Sequence, residues 1–343
     1  MHMANELLSV PVAAGTLATA AGGLGLVCRK ARQLISGEKL ALMGILGAFV
    51  FAAQMVNFQL PAMPGTSGHM VGAVLLAIVL GPHLAAVVMS SVVIVQCLIF
   101  QDGGLLALGC NIINMALVPS YLGYFLYRAV TRGSASGPRI YVGAMIGCVA
   151  GIEAGAALVP LQAWLAGVLV VPFSTFLATM LGVHLLIGLV EGLITVAVLG
   201  YLQQVRPDIV VDSLPGKVRL SRKAVLATLL AMTVIISAGL SLLASDLPDG
   251  LEWSYAERPD QPDFKPAVSN EDPRIAVVDD LHSKYALMPD YSVRAPEPEQ
   301  PTDDQPESWA GWTSFAGVVG SAITMAVIWL VGRFLRKNRP AAA

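Results

Sequence analysis

Long apolar stretches separated by short basic clusters set the pattern of this chain, and that alternation predicts membrane-crossing helices rather than one water-facing core. The first stretch, about 8–27, is followed rather than preceded by positive charge: Arg29, Lys30, Arg32 and Lys39. A signal peptide carries its charge ahead of the apolar run, so this stretch reads as a retained helix with the amino terminus outside. Further clusters are expected on the cytoplasmic side: Arg128, Arg132 and Arg139; then Arg206, Lys217, Arg219, Arg222 and Lys223; then Arg333 to Arg339. Parity between clusters places the remaining crossings at about 40–58, 69–81, 84–100, 104–127, 140–164, 174–203, 224–244 and 312–332. The expected fold class is an all-α integral membrane protein, a polytopic helical bundle of about nine transmembrane helices with a cytoplasmic carboxyl terminus.

One crossing is too short. Thirteen residues, 69–81, rise only about 20 Å, against a hydrocarbon core of about 30 Å. The preceding segment, Gln59-Leu-Pro-Ala-Met-Pro-Gly-Thr-Ser-Gly68, is rich in proline and glycine and cannot be helical. Irregular backbone survives at membrane depth only when protein encloses it, so this loop is expected to dip inward from the outer face and line a site.

Composition agrees with the pattern. Of 343 residues, 55% are hydrophobic and 13% charged, about half the usual charged share, which excludes a water-soluble enzyme. The net charge of −2 hides a segregation: 16 of the 23 acidic residues lie between Asp246 and Glu307, with only 5 of the 21 basic ones. Residues 246–308 are therefore read as an outward acidic loop. Its end, Pro296 to Glu307, is expected to be disordered and its start, Pro248-Asp-Gly-Leu-Glu-Trp253, ordered. Such a loop either gathers cations electrostatically or is a solvated linker, and the linker is the favoured reading from sequence. The basic stretch 206–223 divides a seven-helix module, 1–205, from a two-helix module, 224–335.

The four cysteines, Cys28, Cys97, Cys110 and Cys148, form no CxxC pair and read as small apolar fillers. Pro215-Gly-Lys-Val218 lacks the glycine-rich lead and the following Ser/Thr of a phosphate loop, so the chain itself is not expected to hydrolyse ATP. Ser67 and His69 do not make a hydrolase either. No Gly-x-Ser-x-Gly elbow is present, and residues i and i+2 do not face each other on a helix.

Histidine carries the remaining chemistry. His83, at a turn, and His282, in the acidic loop, are expected at a solvated or interfacial position, and His184, inside an apolar helix, is expected to bond to a neighbour. Glu153 and Glu191 are intramembrane carboxylates without an assigned role. His2 stands beside the α-amine. Amine, residue-2 amide and imidazole close five- and six-membered chelate rings in one plane, and a fourth nitrogen would complete the square preferred by Ni(II) or Cu(II). His69, directly after the dipping loop at the head of the short helix, is the candidate fourth donor. A chance Met-His start and a mere helix-start residue at 69, with Thr66 or Ser67 as cap, stand as the alternatives. Asn57, Gln101, Asp102, Asn111 and Asn114 are candidates for holding the imidazoles in place, with a turn role for Asp102 and helix-to-helix bonding for the amides equally open.

Three motifs in order, Met1-His2 with Leu7-Leu8-Ser9, Gly65-Thr-Ser-Gly-His69-Met-Val-Gly72, and Phe100-Gln-Asp-Gly-Gly-Leu-Leu-Ala-Leu-Gly109 through Asn111 and Asn114, make residues 1–205 resemble the CbiM/NikM family. These are substrate-capture proteins of energy-coupling factor (ECF) transporters for cobalt and nickel. Residues 220–335, with Pro248-Asp-Gly-Leu-Glu252, are similar to the small CbiN/NikN subunit, here fused as in NikMN-type chains. The resemblance implies that Met1, His2 and His69 bind a divalent metal as substrate, Ni(II) or alternatively Co(II), with no organic cofactor. It also implies partners: a transmembrane coupling protein, cytoplasmic ABC ATPases and membrane lipid, with no nucleic acid. The expected location is a bacterial inner membrane. Relatives continue Met-His-Ile-Pro-Asp-Gly where this chain has Met3-Ala-Asn-Glu6, a departure in the turn that steers the terminus inward. Ala14, Ala18 and Gly22 mark a close-packing face for the coupling protein or for the chain's own helices. The alternative in another class is a metal-independent membrane scaffold or channel.

Overall fold

The computed structural model describes residues 1–132, 137–211, 216–256, 266–292 and 311–338. Helix α1, Val10–Leu34, follows Ser9 in extended backbone and takes Pro11 in its first turn, where the missing N–H costs nothing. Ser36 caps α2, Gly37–Gln54, by accepting the Lys39 N–H at 3.2 Å. Irregular chain follows, with strand β1, Phe58–Gln59, paired antiparallel to β2, Ser67–Gly68. Helix α3 is Ala73–Leu80 and α4 is Pro82–Phe100.

The short helix begins four residues later than its apolar run suggests, at Ala73 instead of His69. Gly72 has φ +81°, a conformation open to glycine at little cost, and a Cβ there would lie 2.8 Å from Val50 Cγ1. Glu191 Oε2 accepts the Val71 N–H at 2.5 Å, tying the loop to another helix. His69 thus lies in the extended approach to the helix, and Gly72 rather than Thr66 or Ser67 takes the cap position. Every residue of α3 is buried in the bundle.

Residues 108–131 form α5, with α-helical ends and two wide π-turn stretches, Ile112–Leu117 and Pro119–Gly123. Pro119 has no N–H to give, which loosens the regular ladder there. Helices α6, Arg139–Ala166, and α7, Phe173–Val205, pack along each other. Helix α8, Arg222–Ala238, and the last helix, Gly311–Lys337, lie against α2 and each other, with Met325 and Ile328 seated on Gly44 and Gly47.

Among the described residues, seven helices are long and apolar enough to cross a membrane: α1, α2, α4, α6, α7, the stretch from Arg222 to Leu243, and Gly311–Lys337. Large apolar side chains stay exposed around the bundle, Leu26, Phe125, Ile235 and Phe334 among them, as suits a lipid solvent. Ala14, Ala18 and Gly22 also lie exposed, so the chain's own helices do not cover that face.

Two short helices of the acidic segment, α9 (Gly250–Tyr255) and α10 (Pro273–Tyr285), precede the last helix, which is α11. The described part of this segment is no free linker. Asn270 Nδ2 donates to Glu6 O (3.1 Å) and Leu8 O (2.8 Å), Ser269 N to Val168 O (2.9 Å), and Met288 N to Ile99 O (3.0 Å). His282 is buried with Nε2 2.8 Å from Cys97 O, against the expectation of a solvated ring, because α10 folds down onto the end of α4. Residues 296–307, expected to be disordered, fall outside the described residues.

Candidate metal-capture site

The first eight residues are threaded into the bundle. Met3, Leu7 and Leu8 are fully buried, and Met1 is 4% exposed. Asn111 holds residue 3 at two points: its Oδ1 accepts the Met3 N–H at 2.8 Å and its Nδ2 donates to Met3 O at 3.3 Å. Gly104 N also donates to Met3 O, at 2.8 Å, and a Cβ at Gly104 would meet the Asn5 backbone nitrogen at 2.5 Å. Asn5 Oδ1 in turn accepts from Leu106 N at 2.8 Å. The Asn5 that departs from the familiar turn is therefore itself an anchor. Asn111→Ala removes both bonds to residue 3 and is expected to weaken metal binding about tenfold, the scale of losing an outer partner of a ligand. Titration calorimetry on the purified variant checks this, and unchanged affinity refutes it.

So anchored, the terminus brings four groups together. The Met1 ammonium donates to Asp249 Oδ2 at 3.1 Å, and His69 Nε2 lies 3.9 Å from the same oxygen. The rings of His2 and His69 stack with centroids 5.6 Å apart. Asp249 arrives on the acidic segment. It caps α9 by accepting from Leu251 N (2.9 Å) and Glu252 N (2.8 Å). The adjoining chain docks on the dipping loop: Ser67 N donates to Pro248 O (2.9 Å) and Ser67 Oγ to Leu247 O (2.7 Å).

The tautomers follow from the partners. Gln96 Nε2 donates to Gln54 Oε1 and Gln54 Nε2 to Val71 O, both at 2.7 Å, so Gln96 presents its acceptor Oε1 to His2 Nε2, 3.1 Å away. His2 Nε2 then carries the hydrogen, and Nδ1 keeps its lone pair. That nitrogen faces Asp102 Oδ1 at 3.1 Å, so two acceptors meet, a contact reconciled only by a shared proton or a cation. Tyr291 donates to the other Asp102 oxygen. His69 Nδ1 is 3.1 Å from Met70 O, which can only accept, so the His69 lone pair is on Nε2.

Burial lowers the His2 pKa, although Asp102 opposes it, and burial with the nearby terminal charge and His2 pushes His69 down to about 4. Burial thus favours the neutral form of both rings, the form that ligates metals. For Asp249, burial favours the protonated acid, but the terminal ammonium and the Glu252 backbone N–H outweigh it and hold the carboxyl below the usual carboxylate range. Among the described residues no three His, Cys, Asp or Glu side chains converge closely enough to hold a metal ion. A nitrogen set here needs the amine and amide of the first residues.

His2, His69 and Asp249 form part of the wall of a cavity of about 870 Å³. Its lining includes seven carboxylates, among them Asp102, Asp279 and Asp290, and no Lys or Arg. Asn57 and Gln101 line it but bond to neither imidazole: Asn57 O accepts from Ser245 N at 2.9 Å, and Gln101 ends α4 in left-handed backbone, φ 58°. Asn114 acts one step removed, 3.5 Å from Met3 Sδ and paired with Gln162 at 2.8 and 2.9 Å. Sequence reasoning missed Gln54, Gln96 and Asp249. The two glutamines were detectable as amides inside apolar helices, and Asp249 within a motif already singled out.

The model of the cobalt uptake substrate-specific transmembrane region (CbiM) matches residues 2–209, and that of the PDGLE domain matches residues 223–337. The chain is 32% identical to the putative fused nickel transport protein NikMN of Archaeoglobus fulgidus, over 88% of this chain and 89% of that protein. It is also 32% identical to the probable fused nickel transport protein LarMN of Lactiplantibacillus plantarum, over 96% of each. A crystal structure of a truncated transition metal transporter superposes with a TM-score of 0.53 at 29% identity, covering 60% of this chain and 99% of that one. These matches, with seven apolar helices, define a multi-pass membrane protein of nickel and cobalt transport. The chain belongs to the CbiM/NikM family and carries a PDGLE domain after it.

Proposed function

We propose that this chain is the nickel-capturing membrane subunit of an ECF-type importer, binding Ni(II) through the Met1 amine, the His2 amide and Nδ1, and His69 Nε2. The observation that carries the reading is the burial of the amino terminus with its amine and both imidazoles around Asp249, at the wall of an acidic cavity. The cavity's carboxylates raise the local concentration of divalent cations, and Asp249 holds the ammonium in place until an ion displaces its proton. The Asp102–His2 contact of two acceptors supports a cation between or beside them. Binding removes one proton from the amine and one from the amide, about two per ion.

In this reading the cavity faces outward, the basic clusters lie in the cytoplasm, and α3 and α5 complete a nine-crossing bundle. Residues 1–205 form the capture module, 206–223 the linker and 224–335 the auxiliary module. The chain hydrolyses no ATP; a transmembrane coupling protein and a pair of ATPases drive release, and the exposed Ala14/Ala18/Gly22 face suits close packing against the coupling protein. Cobalt is the second reading, favoured by the family's description as a cobalt uptake region.

Metal content of the purified chain with an untagged terminus tests the proposal. One nickel per chain, displaced only by excess cobalt, is expected; the reverse preference makes cobalt the substrate, and a chain holding neither metal overturns capture in favour of a scaffold.

A further inference from the structure

Behind His69 and Asp249 is a second space, of about 10 Å³, the room of about one water-sized body. Met1, Val71, His184 and Ile187 also line it, whereas His69 and Asp249 line both this space and the acidic cavity. His184 sits roughly a third of the way along α7 and is 1% exposed. Its Nδ1 is 2.8 Å from Met180 O. A carbonyl only accepts, so Nδ1 carries the hydrogen and the lone pair lies on Nε2. That Nε2 is buried and has no hydrogen-bond partner among the described residues. An unpaired buried acceptor is costly unless something else uses it.

His69 is built the same way, with Nδ1–H given to the Met70 carbonyl and Nε2 open. Donating the far ring N–H to a backbone carbonyl is how a metal-ligating imidazole is usually oriented. Helix α7 starts beside the segment that covers the amino terminus, since Val170 N donates to Ala267 O at 3.0 Å and Asn270 reaches Glu6 and Leu8. His184 therefore lies further along α7 from that side. Two turns beyond it on the same helix, Glu191 holds the loop that carries His69 and keeps its Oε1 buried with no partner among the described residues.

We propose that His184 Nε2 is a transfer ligand, the first donor to take the divalent ion from the capture nitrogens on its way inward. This rests on the capture reading above. A planar four-nitrogen ion exchanges ligands through attack of a fifth donor, and His184 supplies an imidazole lone pair from the small space that Met1 and His69 also line. In the step, the bond from His184 Nε2 to the ion forms as the bond to the Met1 amine breaks. The metal stays divalent; the amine takes back a proton from the solvent of the acidic cavity as its bond breaks, and the amide takes back its own when its bond to the ion breaks in turn.

The test compares His184→Asn with His2→Ala in the full chain expressed with its partner subunits. Asparagine keeps an N–H for the Met180 carbonyl but has no counterpart of Nε2. His184→Asn is expected to bind one nickel per chain with unchanged affinity and thermal midpoint, while nickel uptake falls more than about tenfold. His2→Ala loses binding and uptake together. Uptake of His184→Asn at the wild-type rate overturns the proposal, and so does loss of its nickel binding or midpoint. If the unmodified chain binds no nickel, the capture reading itself fails, and this inference with it.

Discussion

Adding one residue ahead of Met1, or replacing His69 by alanine, is expected to cut nickel affinity by more than about 100-fold, beyond the loss of an outer partner alone. The extension acts by position. Consecutive Cα atoms are about 3.8 Å apart, so the amine leaves Asp249, and His2 no longer closes the paired five- and six-membered rings. Its terminus also has little space, because Met1 is already 4% exposed. The alanine variant acts by chemistry, removing the Nε2 donor while leaving the fully buried Met70 and Val71 backbone in place. Calorimetric titration of nickel into untagged protein reads both effects. An unchanged thermal midpoint shows that the fold survives, and affinity within threefold of the parent in either variant would sink the four-nitrogen site.

Asp249→Asn is expected to weaken nickel capture about tenfold or more, because a carboxylate beside the bound ion is lost. Asparagine is as good a helix cap as aspartate, so α9 should persist, and the loss reports charge rather than folding. Asp249→Ala adds removal of the cap, about 1 kcal/mol, and should loosen the docking of Pro248 on Ser67 as well. The contrast between the two variants separates electrostatics from architecture. If Asp249→Asn binds nickel as the parent does, the carboxylate serves only to cap α9.

Much of the membrane architecture is readable from the apolar runs, because a crossing helix must be apolar over most of its length. Its finer limits are not. The apolar run from His69 to Leu80 hides a break at Gly72, which depends on Val50 and Glu191 from distant parts of the chain. The His2–His69 pairing was suggested by local chemistry, an imidazole beside the amine and another after a dipping loop. Asp249 and Gln96 were harder to see, since their roles arise only where segments 248 residues from Met1 and 94 residues from His2 return to them. His282 misled for a similar reason: a ring in an acidic, proline-rich stretch looks solvated until α10 is seen against α4.

The Pro248–Asp249 segment reaches the dipping loop from within the same polypeptide. Covalent tethering turns that docking into a first-order event, at an effective concentration on the order of millimolar for a short connection, whatever the protein's abundance in the bilayer. The ratio of Asp249 to amino termini is thereby fixed at one to one. Dilution into fresh lipid should leave occupancy of this contact unchanged, whereas severing the chain in the 206–223 stretch would make it depend on surface density.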